Sequence, residues 1–303
     1  MTSTASGALQ LPEQPALRGP QKGRLVRRFV ASRRAFFGAS VLGTVVLLIL
    51  VLPVLLPYQA SVQNVRENFR PPFASGSAGI HLIGTDVLGR DLLARLLIGG
   101  RVSLLLSLAA GTLACVFGVS MGLLAGYFGG RVDQVIMRAV DVELAIPGII
   151  LAMGLMASLG PGVQNVILAL AISGWIVYAR TVRSSVLGLR DAQFTDAARS
   201  LGANPLRIIV RHILPNCLTP IIVISTQQTA QLIIIEASLS FLGIGVPAEV
   251  PSWGKMIAEG RSYLTSAWWI ITVPGTALML TTLALNFFGD GLRDVLDPRL
   301  RLS

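Results

Sequence analysis

Charge is scarce in this chain. Asp, Glu, Lys and Arg make up 13% of its 303 residues, about half of the ~25% that soluble domains carry. Hydrophobic residues reach 53% and the mean hydropathy is +0.69, so the chain belongs to the membrane class. Cysteine is limited to Cys115, inside an apolar segment, and Cys217, beside Pro215. Their spacing fits neither a metal site nor an evident disulfide. The two histidines, His81 and His212, stand far apart, and no metal site is expected. Lysine occurs only at positions 22 and 255. The net charge of +10 therefore rests on arginine, spread between apolar segments rather than gathered in one basic domain, which argues against a nucleic-acid partner.

What the chain has in quantity is long apolar runs. Residues 1–23, rich in Ser, Pro, Gly, Gln and Ala without periodicity, read as a flexible tail, and residues 24–34 as a basic extension of it. The run Ala35–Leu56 is longer than the roughly 7–15 residues of a signal-peptide core, and no A-x-A site follows. At ~1.5 Å per residue it is long enough to cross a bilayer, and it is read as a retained transmembrane helix. Five further spans are expected at Val102–Tyr127, Val140–Leu159, Val163–Ala179, Leu218–Phe241 and Ala267–Phe288. The expected fold is all-α, a polytopic protein of six transmembrane helices. The chain divides into a tail (1–34), a first helix (35–57), a loop on the far side (58–101), a five-helix core (102–290) with a polar loop at 190–215, and a second tail (291–303).

Six spans put both termini on one side. Loops on that side hold 18 Lys and Arg, against 7 on the other. The positive-inside rule then places both termini in the cytoplasm and the protein in the cell membrane.

The far-side loop contains HLIGTDVLGRDLLARLLIGGR. Leu88, Leu92, Leu93, Leu96 and Leu97 share one helical face, off which lie Arg90, Asp91 and Arg95. An amphipathic helix at the outer surface is expected, with an Asp91–Arg95 pair four residues apart. The second span carries Gly111, Gly118, Gly122 and Gly126, the last three spaced by four, leaving a face bare enough for close helix packing. In the third, Asp141 and Glu143 lie near the inner interface, with Arg138 as a neighbour, and Pro147 predicts a kink. The fifth span is polar: Gln227, Gln228, Gln231 and Glu236 cover about half of its circumference. Such an arc suits a helix lining a wet path, or a buried network between helices. The sixth helix is expected to end at Gly289 and Gly291, before a turn at Asp297-Pro298.

Two motifs imitate nucleotide sites. Gly84-TDVL-Gly89-Arg90-Asp91 has phosphate-loop spacing, but Arg90 and Asp91 stand where Lys and a hydroxyl are needed. The segment Gly243–Ala248 imitates a dinucleotide fingerprint, but Pro247 and Pro251 preclude the helix that must follow it. No constellation of nucleophile, base or metal ligand emerges, and the chain is not expected to be an enzyme.

The longest polar run of the second half is Asp196–Pro215, DAARSLGANPLRIIVRHILP. It reads as a short helix broken at Gly202, then a second helix stopped by Pro215. This run resembles the EAA loop of the membrane subunits of ATP-binding-cassette importers. GTDVLGRDLLARLLIGGRVSL, SFLGIGVPAEVPSWGKMIAEGR and the tail GDGLRDVLDPRLR are similar to the dipeptide/oligopeptide and nickel branch of that family, in particular its C-type permease subunit. Asp196 replaces the usual glutamate, and His212 stands at a position commonly aliphatic in the wider family.

The resemblance implies a type I importer permease fold and a coupling loop. Asp196, Ala197, Ala198, Gly202, Arg207, Leu214 and Pro215 would form the contact with a cytoplasmic ATPase, and Gln227, Gln228, Gln231 and Glu236 would be pathway candidates. It implies a homologous permease as heterodimer partner, two ATPase subunits and an extracytoplasmic binding protein. It implies no cofactor on this chain, with ATP and magnesium on the partner subunits. The alternative is an ion-coupled secondary transporter or channel working through Asp141 and Glu236. Within the family, nickel and glutathione compete with peptides as substrate.

Overall fold

A computed structural model of the chain describes residue 29 and residues 32–55, 61–77 and 79–296. The amino-terminal tail up to residue 28 and the expected turn at Asp297-Pro298 lie outside the described residues. Helix α1 spans Arg33–Leu55. A short antiparallel hairpin follows, β1 (Ala74–Gly76) against β2 (Gly79–His81), with Ala74 opposite His81. Helix α2 covers Leu92–Phe128, α3 Gly130–Leu144, α4 Gly148–Leu159 and α5 Val163–Arg190. The short helices α6 (Gln193–Ser200) and α7 (Pro205–Ile208) and a π-helical turn (Ile209–Ile213) lead into α8 (Leu214–Phe241). Helix α9 (Trp253–Gly260) and α10 (Trp269–Leu296) complete the described chain. The hairpin is the one departure from the all-α expectation among the described residues.

Five helical stretches are long and apolar enough to cross a membrane by themselves, and α3 with α4 reaches that length only as a pair bent by 88°. The direction of the chain decides how the pair counts. Gly118 of α2 lies against Trp175 and Tyr178 of α5, Gly122 against Ala179 and Val182, and Gly126 against Val186. Helices α2 and α5 therefore run parallel, and α3 and α4 must return the chain to the end where α2 began. The bent pair then counts as one crossing, which gives six candidate passes among the described residues.

The third span, expected over Val140–Leu159 with a kink at Pro147, is a sharp bend between two separate helices. Pro147 takes the extended conformation before α4 (φ −54°, ψ 130°). It lacks the N–H that would continue α3, and a residue before proline avoids the helical region. The fourth helix runs on past Ala179 to Arg190, because its last turns are amphipathic rather than apolar. Val182 and Val186 face inward while Arg180, Arg183 and Arg190 reach other partners. The sixth helix runs through Gly289 and Gly291 instead of ending there, because both are seats for neighbours. A Cβ at Gly291 would meet Ala35 of α1 at 2.5 Å, and one at Gly289 would collide with Thr226 of α8.

The glycine stripe of α2 packs within the chain. A Cβ at Gly122 would come within 2.6 Å of the Ala179 carbonyl, and one at Gly126 within 2.6 Å of Val186 Cβ. At that spacing backbones touch directly, and dispersion replaces side-chain interdigitation.

Helix α1 lies along α10, with Gly38 against Phe288 and Phe37 edge-on to Phe287 at 5.8 Å. The described ends, Arg33 and Leu296, thus share one end of the bundle with α6 and α7. The hairpin and α9 occupy the other.

The hairpin end differs from its expectation. The amphipathic segment does not lie on the surface: it is the first turns of α2, with Leu92, Leu97 and Arg95 all buried. Nor do Asp91 and Arg95 pair. Asp91 caps α2 by accepting the Ala94 N–H at 2.8 Å, and its other oxygen meets His81 Nδ1 at 2.8 Å. Arg95, 3% exposed, instead pairs with Asp86 and donates to Glu259 of α9 at 2.6 Å. Asp86 is fully buried and also accepts the N–H groups of Leu88 and Arg90, each at 2.9 Å.

Candidate functional site

The end opposite the hairpin carries the Asp196–Pro215 segment. Helix α6 is anchored by Thr195, fully buried, whose hydroxyl donates to the Leu189 carbonyl at 2.8 Å. Ala198 faces inward beside it, while Ala197 and Asp196 face out. The alanine pair is thus split between the chain's own core and the surface. Asp196 pairs with Arg199 at 3.0 Å, and both side chains are more than half exposed. A pair that open contributes little to stability.

Gly202 ends α6 with φ +78°. Its N–H reaches the Arg199 carbonyl, and the Ala203 N–H reaches that of Ala198, a glycine-dependent helix stop. Nothing lies within 4 Å of the position a Cβ would take there, so only backbone conformation calls for glycine. Asn204 then caps α7, accepting the Arg207 N–H at 2.8 Å, and Pro205 occupies the first turn.

Pro215 does not stop the second helix, contrary to the expectation. It lies at the start of α8, and the helix absorbs it through the π turn at Ile209–Ile213, where the Leu214 N–H bonds five residues back to the Ile209 carbonyl. A proline removes one helical N–H and crowds the carbonyl four residues earlier, here that of Arg211. One π turn shifts the register and relieves both.

The segment sorts cleanly into two faces. Ile208, Ile209, Ile213 and Ala198 pack with Leu123, Val182, Val186 and Cys217. The opposite face exposes Leu201 (88%), Leu206 (69%), Val210 and Phe194, together with Arg207 and Arg211. Leu214 is half-buried and Pro215 exposed. The exposed apolar residues were missed from sequence. Their signal is that Leu201 and Leu206 flank the glycine break, where no inward face can claim both.

The polar residues of α8 do not share one environment. Gln227 donates to Asp290 of α10 at 3.1 Å, and the buried Gln228 donates to the Gly174 carbonyl of α5 at 3.4 Å. Gln231 is exposed, whereas Glu236 is fully buried and accepts the Ser240 hydroxyl at 2.8 Å. Near the bend, Asp141 pairs with Arg180 at 2.8 Å rather than with Arg138, and Glu143 accepts the Trp175 indole N–H at 2.8 Å. Among the described residues no cluster of three or more His, Cys, Asp or Glu side chains is arranged to hold a metal ion.

Comparison with known proteins matches this architecture. Residues 118–302 match the family model of the binding-protein-dependent transport system inner membrane component, and residues 23–72 match that of the N-terminal TM domain of oligopeptide transport permease C. A peptide transport system permease protein of Brucella suis is 46% identical, over 92% of this chain and 93% of its own length. The di/tripeptide transport system permease protein DppC of Pseudomonas aeruginosa is 39% identical, over 90% of each chain. The glutathione transport system permease protein GsiD of Pectobacterium atrosepticum is 42% identical, over 82% of this chain and 81% of its own. Among solved structures, an inward-facing form of the MetNI methionine ABC transporter shares the fold, with a TM-score of 0.55 and 21% identity over 67% of this chain and 97% of the other.

Proposed function

The chain belongs to the family of binding-protein-dependent transport system inner membrane components, and we propose that it is the permease subunit of an ATP-driven peptide importer, coupled to its motor through Asp196–Pro215. In this reading the chain pairs with a homologous permease. Two cytoplasmic ATPases carry ATP and magnesium, and an extracytoplasmic binding protein delivers the substrate. The chain itself holds no cofactor and performs no covalent chemistry. The arginine distribution puts both termini and the α6–α7 segment in the cytoplasm, which leaves the hairpin end to meet the binding protein.

The observation that carries the proposal is the two-faced knuckle. Its inner face is packed into the bundle by Ile208, Ile209 and Ile213, so a push on its outer face moves α5 and α8 together. Its outer face combines exposed leucines with Arg207 and Arg211, which suits a groove of apolar floor and acidic rim on the ATPase. Ala197, Gly202, Leu214 and Pro215 shape that surface, and Asp196 orients Arg199 on it. The polar side of α8 borders the path: Gln231 faces it directly, with Gln227, Gln228 and Glu236 behind, reached when the helices separate. Peptides are the preferred substrate because two of the relatives above are named for them. The family assignment goes against the ion-coupled alternative.

The test is ATP-dependent uptake by the assembled transporter in vesicles, with candidate peptides, glutathione and nickel each presented on a binding protein. The substrate that stimulates ATP hydrolysis identifies the cargo. In the same vesicles Gly202→Val forces a β-branched residue into a left-handed conformation costing roughly 1–2 kcal/mol, enough to depopulate the docked knuckle about tenfold. Uptake falls while the permease pair stays assembled. Full uptake by the Gly202→Val transporter would sink the coupling assignment.

A further inference from the structure

A second polar site lies far from the knuckle, where α8, α2 and α9 meet near the hairpin end. Helix α9 sits directly on α8: a Cβ at Gly254 would meet Ala237 Cα at 2.5 Å. Ser103 of α2 accepts the Trp253 N–H at 3.3 Å, and Ser252 caps α9 by accepting the Lys255 N–H at 3.3 Å. Ser103, Ser252, Ser240 and Glu236 are all at or within 4% of full burial. Glu236 Oε1 accepts the Ser240 hydroxyl, but Oε2 has no hydrogen-bond partner. The buried hydroxyls of Ser103 and Ser252 stand at the same junction, where α2 and α9 meet α8, and neither bonds that oxygen.

The charges on the packed elements are committed elsewhere. On α2, Arg95 serves Asp86 and Glu259, and Arg101 donates to the carbonyls of Ile49 and Leu50 at 2.7 and 2.8 Å. On α9, Lys255 donates to the carbonyls of Pro247 and Ala248, and Glu259 is held by Arg90 and Arg95. On α10, Asp290 meets Gln227, nine residues back along α8, with Arg293 and Asp294 beyond it. On α5, Arg180 and Arg183 pair with α3, and α4 carries no charge. No ion pair to Glu236 forms among the described residues.

A bare carboxylate buried with one hydroxyl is far more costly than one neutralised in place. We propose that the Glu236 junction is a monovalent-cation site, taking H⁺ or Na⁺ on Oε2 with the hydroxyls of Ser103, Ser240 and Ser252 as neighbouring oxygen donors. Both cations supply the same thing, one positive charge on a carboxylate among hydroxyls. Filling the site closes the seam between α9 and the two long helices, and emptying it loosens that seam. This holds whatever substrate the transporter carries.

The assembled transporter in detergent is unfolded thermally from mildly acidic to alkaline pH, in choline, potassium or sodium chloride. The wild type is expected to lose Tm as pH rises in choline. Saturable recovery by sodium but not by potassium identifies Na⁺. Recovery only by acid identifies H⁺. The Glu236→Gln transporter, whose amide is neutral without a cation, is expected to lose this response. An equal response in wild type and Glu236→Gln overturns the proposal. Should Glu236→Gln fail to assemble, Ser103→Ala decides: it removes one oxygen donor and shifts the sodium or pH midpoint, and an unmoved midpoint also overturns the proposal.

Discussion

The two ends of this bundle are built on opposite principles. At the hairpin end, the charged cluster around Asp86 is buried and answered from within the chain, with the second oxygen of Glu236 as the exception. Asp86 holds Arg90 and Arg95, Glu259 closes the cluster from α9, and His81 is clasped between Asp91 and Glu67. The indoles of Trp253 and Trp269 donate to the carbonyls of Leu96 and Thr85. At the knuckle end, the only ion pair on α6 is exposed, leucines stand in the open, and one glycine sets the turn. The charged cluster of the first is paired within the chain. The second has an inner face packed into the bundle and an outer face of exposed leucines, the docking surface of the proposed reading. The proposed coupling would use that division, with a stiff frame at one end and a docking surface at the other.

The contrast is sharpest in what each end loses to a single substitution. Arg95→Ala leaves the buried Asp86 with Arg90 alone as countercharge and takes one arginine from Glu259. Removing one partner of a buried pair costs about 3–5 kcal/mol. Thermal unfolding of the purified transporter should show that loss, and Arg95→Lys should recover only part of it, because lysine cannot span Asp86 and Glu259 with one planar fork. An Arg95→Ala transporter as stable as wild type would erase the distinction between the two ends.

A smaller effect follows from Glu67. The Ser77 backbone N–H, which it accepts at 2.6 Å, and the nearby His81 hold its carboxyl below the ordinary carboxylate range. A depressed carboxyl pKa stabilises the fold above the unfolded value, about 4.3. That contribution is lost as pH falls below it. The protection factors of the amides at 74–77 and 79–81, corrected for the intrinsic pH dependence of exchange, should therefore fall on acidification through this window. Glu67→Gln should show faster exchange already at neutral pH, and little further change on acidification.

Much of the frame was legible in the sequence. Six apolar runs and a proline in the third gave the crossings and the bend, since hydropathy and the missing proline N–H are local properties. The glycine spacing of α2 announced a tight helix contact, and Gly202 a break. What stayed hidden was long-range or register-dependent. Arg95 and Glu259 lie 164 residues apart, so local spacing suggested Asp91 as the nearest partner. The last turns of α5 looked like a loop because they carry arginines, although their valines keep a helical inward stripe. Pro215 read as a stop because the π turn that accommodates it has no composition of its own. Glu236 was visible as an intramembrane acid, but only packing shows its second oxygen buried and unanswered.

The smallest expected change in stability belongs to Leu201, and it gives the most direct test of the coupling surface. Leu201→Asp alters a side chain that is 88% exposed, so the permease pair should unfold within about 0.5 kcal/mol of wild type. Co-purification of the ATPase with that pair should be lost, because an apolar contact is replaced by a charge. Wild-type amounts of ATPase on the Leu201→Asp permease, with full ATP-driven uptake, would contradict the account.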